Sequence, residues 1–326
     1  MLLTIAIPTF NRHCYLKELL DSIVPQINDR VEVLIKDNAS TDDTQNIAME
    51  YLLKYPFIRY SRNSENIGPD ANFLKCFKES SGKFVHLLSD DDILLPGAVS
   101  NIIRLIDSND DIAIIRTNCC AFNRTFIING CCEPAYKITG DILFNDKNRF
   151  LEYIGYSSIF MSTTIYNKKK LLTITNPERH IGTNLLQTHL IFECMAKGGK
   201  GVVMSSTCVA ARVGMPVGFN LYRVLVVEWK KVLFSTCLSL GYDPSSLRKV
   251  YNQSISENLS KIVSDAHLIE ERYGTVFFSI FRDTWQFPLA WIYLYPFSLL
   301  PSNLLRLLAA LKKRIKKYTC LAFGCE

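Results

Sequence analysis

The chain has 326 residues, enough for one large or two modest domains with a real core. Its formal charge is +6, and that whole excess falls in 304–318, where Arg306, Lys312, Lys313, Arg314, Lys316 and Lys317 stand without an acid. A nucleic-acid binder carries basic charge across its fold, so that class is set aside. The 11 cysteines are odd in number, and the adjacent pairs Cys119-Cys120 and Cys131-Cys132 do not have metal-ligand spacing. They read as thiols of a reduced, cytoplasmic chain rather than as a disulfide framework or a zinc site.

The first predicted element is a strand at 2–7 (LLTIAI). No basic stretch precedes it and no small-residue cleavage site follows, so it is not read as a secretion signal. The loop 8–12 (PTFNR) leads into a helical pattern at 15–27. A strand at 31–36 (VEVLIK), a loop at 37–42 (DNASTD) and a helix at 42–53 come next. Then come a strand at 57–60, the loop 62–68 (RNSENIG) and a helix at 70–80. A strand at 84–88 (FVHLL) runs into Asp90, Asp91 and Asp92, ahead of a helix at 96–106 and a strand at 112–116. Repeated units of this kind predict an α/β fold, a mostly parallel sheet with helices on both faces. Ligands of such sheets bind beyond the carboxyl ends of the strands.

Four polar loops fall at that one edge. Turn chemistry or helix capping, for example by Ser40 or Thr41, explains any one of them alone. Four in succession point to a binding edge. Three adjacent carboxylates repel one another, so water or a positive charge must meet them. They are a metal site or an acidic cap before the helix at 96.

From 118 to 206 the periodicity loosens, as in a substrate-facing half. From 224 the chain reads as helical, with Leu225, Val226, Trp229, Val232 and Leu233 at 3–4 spacing. The uncharged stretch 284–305 is broken by Pro288, Pro296 and Pro301, which argues against a spanning helix. Beyond it Leu304, Leu307, Leu308, Leu311, Ile315 and Tyr318 form an apolar stripe beside the basic cluster. With Trp291, Tyr293 and Tyr295 this suits a helix lying on an anionic membrane surface, or one packed on the body or a partner.

The motifs at 7–12 (IPTFNR), 37–44 (DNASTDDT) and 89–92 (SDDD), in this order, resemble those of glycosyltransferase family 2. The stretch 66–73 (NIGPDANF) is similar to the bacterial surface-polysaccharide branch, including O-antigen abequosyltransferases. The resemblance is strong over 1–117 and fades by about 215. It implies the GT-A (Rossmann-like) fold. A nucleotide-sugar-binding half would span 1–117 and the acceptor-binding half of the same domain 118–223. A helical region would fill 224–326, its amphipathic tail at about 284–318 touching the membrane.

The resemblance also implies a nucleotide-sugar donor, a Mn²⁺ or Mg²⁺ cofactor and a lipid-linked oligosaccharide acceptor. Pro8, Thr9 and Asp37 would contact the nucleotide, with Asn11, Arg12, Asn66, Gly68 and Arg212 around them. Asp91 and Asp92 would hold the metal, Asp92 taking part in catalysis and Asp90 lying nearer the ribose. Extended backbone would put Asp90 and Asp92 on one face, and a turn would undo that parity.

Inverting members place an acidic pair before a late helix, and 181–190 (IGTNLLQTHL) has none. His189 is the nearest group able to accept a proton near neutral pH. The alternatives are a distant acid or a stereochemical course needing no base. The expected setting is the inner face of the bacterial cytoplasmic membrane, the expected donor sugar a dideoxyhexose such as abequose. The alternative is a non-catalytic nucleotide-sugar-binding or assembly protein on the same fold.

Overall fold

The computed structural model describes residues 1–123, 133–214, 223–255, 281–282 and 284–293. Strands β1 (Leu3–Thr9) and β2 (Val31–Asp37) are buried at every position, as their continuous apolar character requires of strands covered on both faces. They join β3 (Ile58–Arg62) and β4 (Phe84–Leu87) in parallel. The connecting helices are α1 (His13–Ile23), α2 (Thr44–Lys54) and α3 (Pro69–Glu79). Helix α4 (Ala98–Asp107) follows β4 and a two-residue strand β5 (Ile93–Leu94). Pro69 opens α3 at a position where its missing N–H costs nothing.

The second half completes one sheet in the order β3-β2-β1-β4-β8-β6-β9-β5, with β7 also on β9. Its strands are β6 (Ile112–Asn123), β7 (Ile142–Phe144), β8 (Thr164–Asn167) and β9 (Lys200–Val213). Strand β8 lies antiparallel between β4 and β6, so the sheet is parallel on its first side and mixed on its second. Strands β6 and β9 run parallel through several register shifts. Helices α5 (Lys147–Ile154), α6 (Lys168–Leu171) and α7 (Leu186–Ala196) cover this half.

Alternation along the strands divides the core into two layers. Leu3, Ile5 and Ile7 meet Leu16, Leu19, Leu20 and Ile23 of α1 on one face. Ala6, Val85 and Leu87 meet α3 and α7 residues such as Leu74, Phe77 and Leu190 on the other. Helical segments Arg223–Glu228, α8 (Trp229–Lys231) and Val232–Cys237 follow, the first and last π-wound. They bury Val226, Trp229, Val232 and Leu233 in the second layer, beside α9 (Pro244–Ser254).

Near the C-terminus Pro288–Tyr293 is helical, and Trp285 and Trp291 are exposed. The basic helix expected over 304–318 lies outside the described residues. Among the described residues no helix is long and apolar enough to cross a membrane. The expectation of an all-thiol chain fails at Cys120, which is disulfide-bonded. Adjacent strand residues face opposite ways, so Cys119 packs against the α1 layer as a free thiol while Cys120 joins a separate cluster with Ile93 and Ala210.

Candidate functional site

The polar loops after β1, β2, β3 and β4 gather at one sheet edge because all four strands run in parallel. Register places Thr9 beside Asp37, and Asp37 beside Arg62. Pro8 falls on the alternation of β1 that faces β4, which has already ended at Leu87, so its absent N–H breaks no ladder bond.

Side chains then tie each loop to the next. Asn11 is left-handed (φ 52°); its N–H donates to Ser40 Oγ at 2.9 Å, and its Oδ1 accepts the Thr41 N–H at 2.7 Å. Ala39 is also left-handed at φ 64°, a costly conformation for a residue with a Cβ, and it sits in the middle of the second loop. Asp37 is fully buried and accepts from the Ser40 N–H at 2.9 Å and the Tyr60 hydroxyl at 2.7 Å, with Arg62 Nε at 3.5 Å.

Asn38, next to Asp37, links the second loop to the third. Its amide donates to Asn66 Oδ1 (2.8 Å) and Gly68 O (3.2 Å). Its oxygen accepts from Ile67 N–H and Asn63 Nδ2, both at 3.0 Å. Asn63 passes the chain on to Asn72, whose amide reaches Lys36 O. Gly68 has φ 82°, which an L-residue would adopt only under strain. Asn38, Asn63 and Asn72 escape the sequence reading; their one signal is the concentration of Asn in and beside the polar loops.

The acidic run lies beneath Arg12. Its Nη1 is 3.2 Å from Asp90 Oδ1 and 2.8 Å from Asp91 Oδ2, supplying the positive charge that three carboxylates demand. Asp91 Oδ1 also accepts from the Ser89 hydroxyl at 2.6 Å. Thr9 is buried beside Asp90. Burial, opposed by Arg12 and reinforced by Asp91, pushes Asp90 up to about 7. Burial, then the neighbouring Asp91, pushes Asp92 up to about 7 as well. Asp92 Oδ1 accepts the Arg212 N–H at 2.9 Å, while its Oδ2 is buried with no hydrogen-bond partner among the described residues.

Arg212 is buried rather than a surface cation. Its Nε donates to Asp91 O at 2.9 Å, its Nη2 pairs with Glu18, and its guanidinium lies 4.6 Å from the Phe122 ring and 5.0 Å from that of Tyr15. It braces the acidic run from β9.

His189 lies elsewhere, on the buried helix α7. It stacks on His180 with ring centroids 3.9 Å apart, and its Nδ1 is 2.8 Å from Thr236 Oγ1. Burial, then the charges of His180 and Arg179, pushes its pKa down to about 2, so it is a poor proton acceptor at neutral pH. Among the described residues no three His, Cys, Asp or Glu side chains converge as a ready-made metal cage.

The sequence profile described as Glycosyl transferase family 2 matches residues 4–173, more than half of the chain. Over 115 residues the chain is 41% identical to the abequosyltransferase RfbV of Salmonella typhimurium, covering 34% of each protein. Over 118 residues it is 33% identical to the GalNAc(5)-diNAcBac-PP-undecaprenol beta-1,3-glucosyltransferase of Campylobacter jejuni, covering 36% of this chain and 38% of that one. The match thus spans little more than a third of the length of these curated relatives. Staphylococcus aureus TarS 1-349, solved with UDP-GlcNAc, superposes with a TM-score of 0.63 at 14% identity over 87% of this chain and 82% of that one. The mannosyltransferase PcManGT of Pyrobaculum calidifontis, solved with GDP-Man and Mn²⁺, gives 0.54 at 13% identity over 91% and 84%. These two likenesses show the shared GT-A fold. The chain belongs to glycosyl transferase family 2.

Proposed function

We propose that the chain transfers a sugar from a nucleotide-sugar donor to a hydroxyl of a lipid-linked oligosaccharide during assembly of a bacterial surface polysaccharide. The observation that carries this reading is the acidic run at the carboxyl end of β4, held from both sides by Arg12 and Arg212. The orphaned Asp92 Oδ2 beside Asp91 suits a hard cation such as Mn²⁺ or Mg²⁺. Such ions take one or two carboxylates and complete their shell with phosphate and water. Held there by Asp91 and Asp92, such a cation would supply Lewis-acid stabilisation of the departing nucleoside diphosphate.

The chain's own residues do the rest. Thr9 and Asp37, side by side at two strand ends, form the floor of a slot for base and ribose. The interlocked loops hold the carboxylates in place before a donor arrives, so little reorganisation is needed during reaction. Arg12, part exposed over Asp90 and Asp91, would offer its guanidinium to a donor phosphate arriving at this edge.

The finer reading is a dideoxyhexose donor such as abequose, supported by the similarity to RfbV. The similarity to a glucosyltransferase whose name includes an undecaprenol-linked substrate supports the acceptor class. Exposed Trp285 and Trp291, and the basic cluster at 304–318, support work at the inner face of the cytoplasmic membrane. A panel of UDP-, GDP-, dTDP- and CDP-sugars, each with Mn²⁺, tests the reading by thermal stabilisation. One nucleotide class should raise the melting temperature; no shift with any of them contradicts it.

A further inference from the structure

Transfer to a hydroxyl requires a group to take its proton, and His189 is poorly suited. Most carboxylates at the ligand edge are already committed. Asp37 receives Ser40, Tyr60 and Arg62; Asp42 receives His13 and Thr44; Asp90 and Asp91 receive Arg12. Asp92 belongs to the cluster assigned to the cation. Beyond these, Glu65 is exposed in the third loop and Asp70 is buried just past it.

Asp70 is the second residue of α3, immediately beyond the loop carrying Asn66 and Gly68. Its Oδ2 accepts the N–H groups of Gly182 and Asn184, each at 2.8 Å, which fixes the loop leading into α7. Leu185, at the start of α7, offers no side-chain cap, and Asp70 reaches across from another helix to hold the loop just before it. Its Oδ1 has no hydrogen-bond partner among the described residues, although Asp70 is only 2% exposed. Anchoring the loop takes one oxygen here. The second, buried and unfilled, costs about 1–3 kcal/mol unless something donates to it. The loop above it is thin: Gly182 and Asn184 are left-handed (φ 90° and 56°), and Ile181 is 44% exposed.

Resting on the glycosyl-transfer reading, we propose that Asp70 Oδ1 accepts the proton of the attacking hydroxyl. The acceptor enters by displacing the loop 181–184, and its O–H points at Oδ1. The hydroxyl oxygen bonds to the anomeric carbon as its proton passes to Asp70. The bond from that carbon to the phosphate oxygen breaks, and the nucleoside diphosphate leaves with the electron pair.

Burial raises the Asp70 pKa against the pull of the backbone N–H groups of Asn184, Gly182, Leu186 and Thr183, which makes its carboxylate a stronger base than an ordinary aspartate. Charged and titratable groups on the packed elements have partners of their own. Glu178 pairs with Lys78, and Arg179 and His180 with Glu193; Lys36 pairs with Glu79, His189 with Thr236, and His86 with Ser162 O.

The test is Asp70→Asn in the full chain, because the amide oxygen still caps the Gly182 and Asn184 N–H groups. Nucleoside diphosphate release is followed with the nucleotide sugar that stabilises the wild type and a panel of octyl glycosides as acceptors. Turnover should fall roughly 10²–10⁴-fold, with nucleotide affinity and melting temperature unchanged, and the acid limb of the wild-type pH profile should disappear. Full turnover with the limb intact in Asp70→Asn overturns the assignment of Asp70 alone. So does a loss that only follows melting temperature across Asp70→Asn and Asp70→Ala, which leaves Asp70 as an anchor of the loop 181–184. A wild type inert with every donor overturns the transfer reading and this one with it.

Discussion

Arg12 Nη1 stands 2.8 Å from Asp91 Oδ2 and 3.2 Å from Asp90 Oδ1, joining the loop after β1 to the loop after β4. This cation offsets the repulsion between Asp90 and Asp91, at the edge where a donor diphosphate and its metal would arrive. Arg12→Gln should therefore lower the melting temperature in the presence of a chelator. Mn²⁺ together with the donor should recover most of that loss, since the ion replaces the missing charge. Equal melting of wild type and variant in chelator would show that the arginine is dispensable to the cluster.

Asn38 makes four hydrogen bonds that tie the second loop to the third. Asn38→Ala removes one of the two acceptors of the buried Asn63 Nδ2, which keeps Asn72, and takes the acceptor from the part-buried Ile67 N–H, at a cost of about 1–3 kcal/mol in all. Denaturant unfolding should show a lower midpoint with an unchanged slope, and the donor should bind more weakly because Gly68 and Asn66 lose their anchor. A midpoint matching the wild type would mean that the loops hold their shape without this residue.

His189 gives a pH signature whose sign is fixed by burial. Its pKa falls from an ordinary 6.5 to about 2, so the unfolded chain takes a proton that the folded chain refuses. Its contribution to stability is complete above pH 6.5 and declines below it, by about 1.4 kcal/mol per pH unit. His189→Gln should flatten the loss of stability between pH 6.5 and 4.5 relative to wild type. Asp90 and Asp92, raised toward 7, slope the opposite way but cancel in that comparison. Parallel curves for the two proteins would place His189 in contact with solvent.

What the sequence made legible was local. Branched runs such as VEVLIK, punctuated by DNASTD, carry strand and loop in adjacent residues, and parallel succession puts their ends together. The ties between loops were not legible, because they join distant residues: Arg12 to Asp90 spans 78 positions, and Arg212 to Asp92 spans 120. Strand β8 is only four residues long and enters between β4 and β6 antiparallel, too short for a periodic signal. His189 looked available because α7 has no polar face to compare it with; the ten residues from Leu186 to Met195 are all buried. Asp70 read as an ordinary acid in the first turn of a helix, and its reach to the loop before α7, more than 110 positions on, lay outside any local pattern.

The central claim is that the acidic run after β4 holds a cation on which donor turnover depends. The most direct test measures nucleoside diphosphate release by the wild type and by Asp92→Asn, with Mn²⁺ and with a chelator. Release that needs the metal, and falls at least about 100-fold in Asp92→Asn at an unchanged melting temperature, is the predicted result. Release indifferent to both the chelator and the substitution would contradict it.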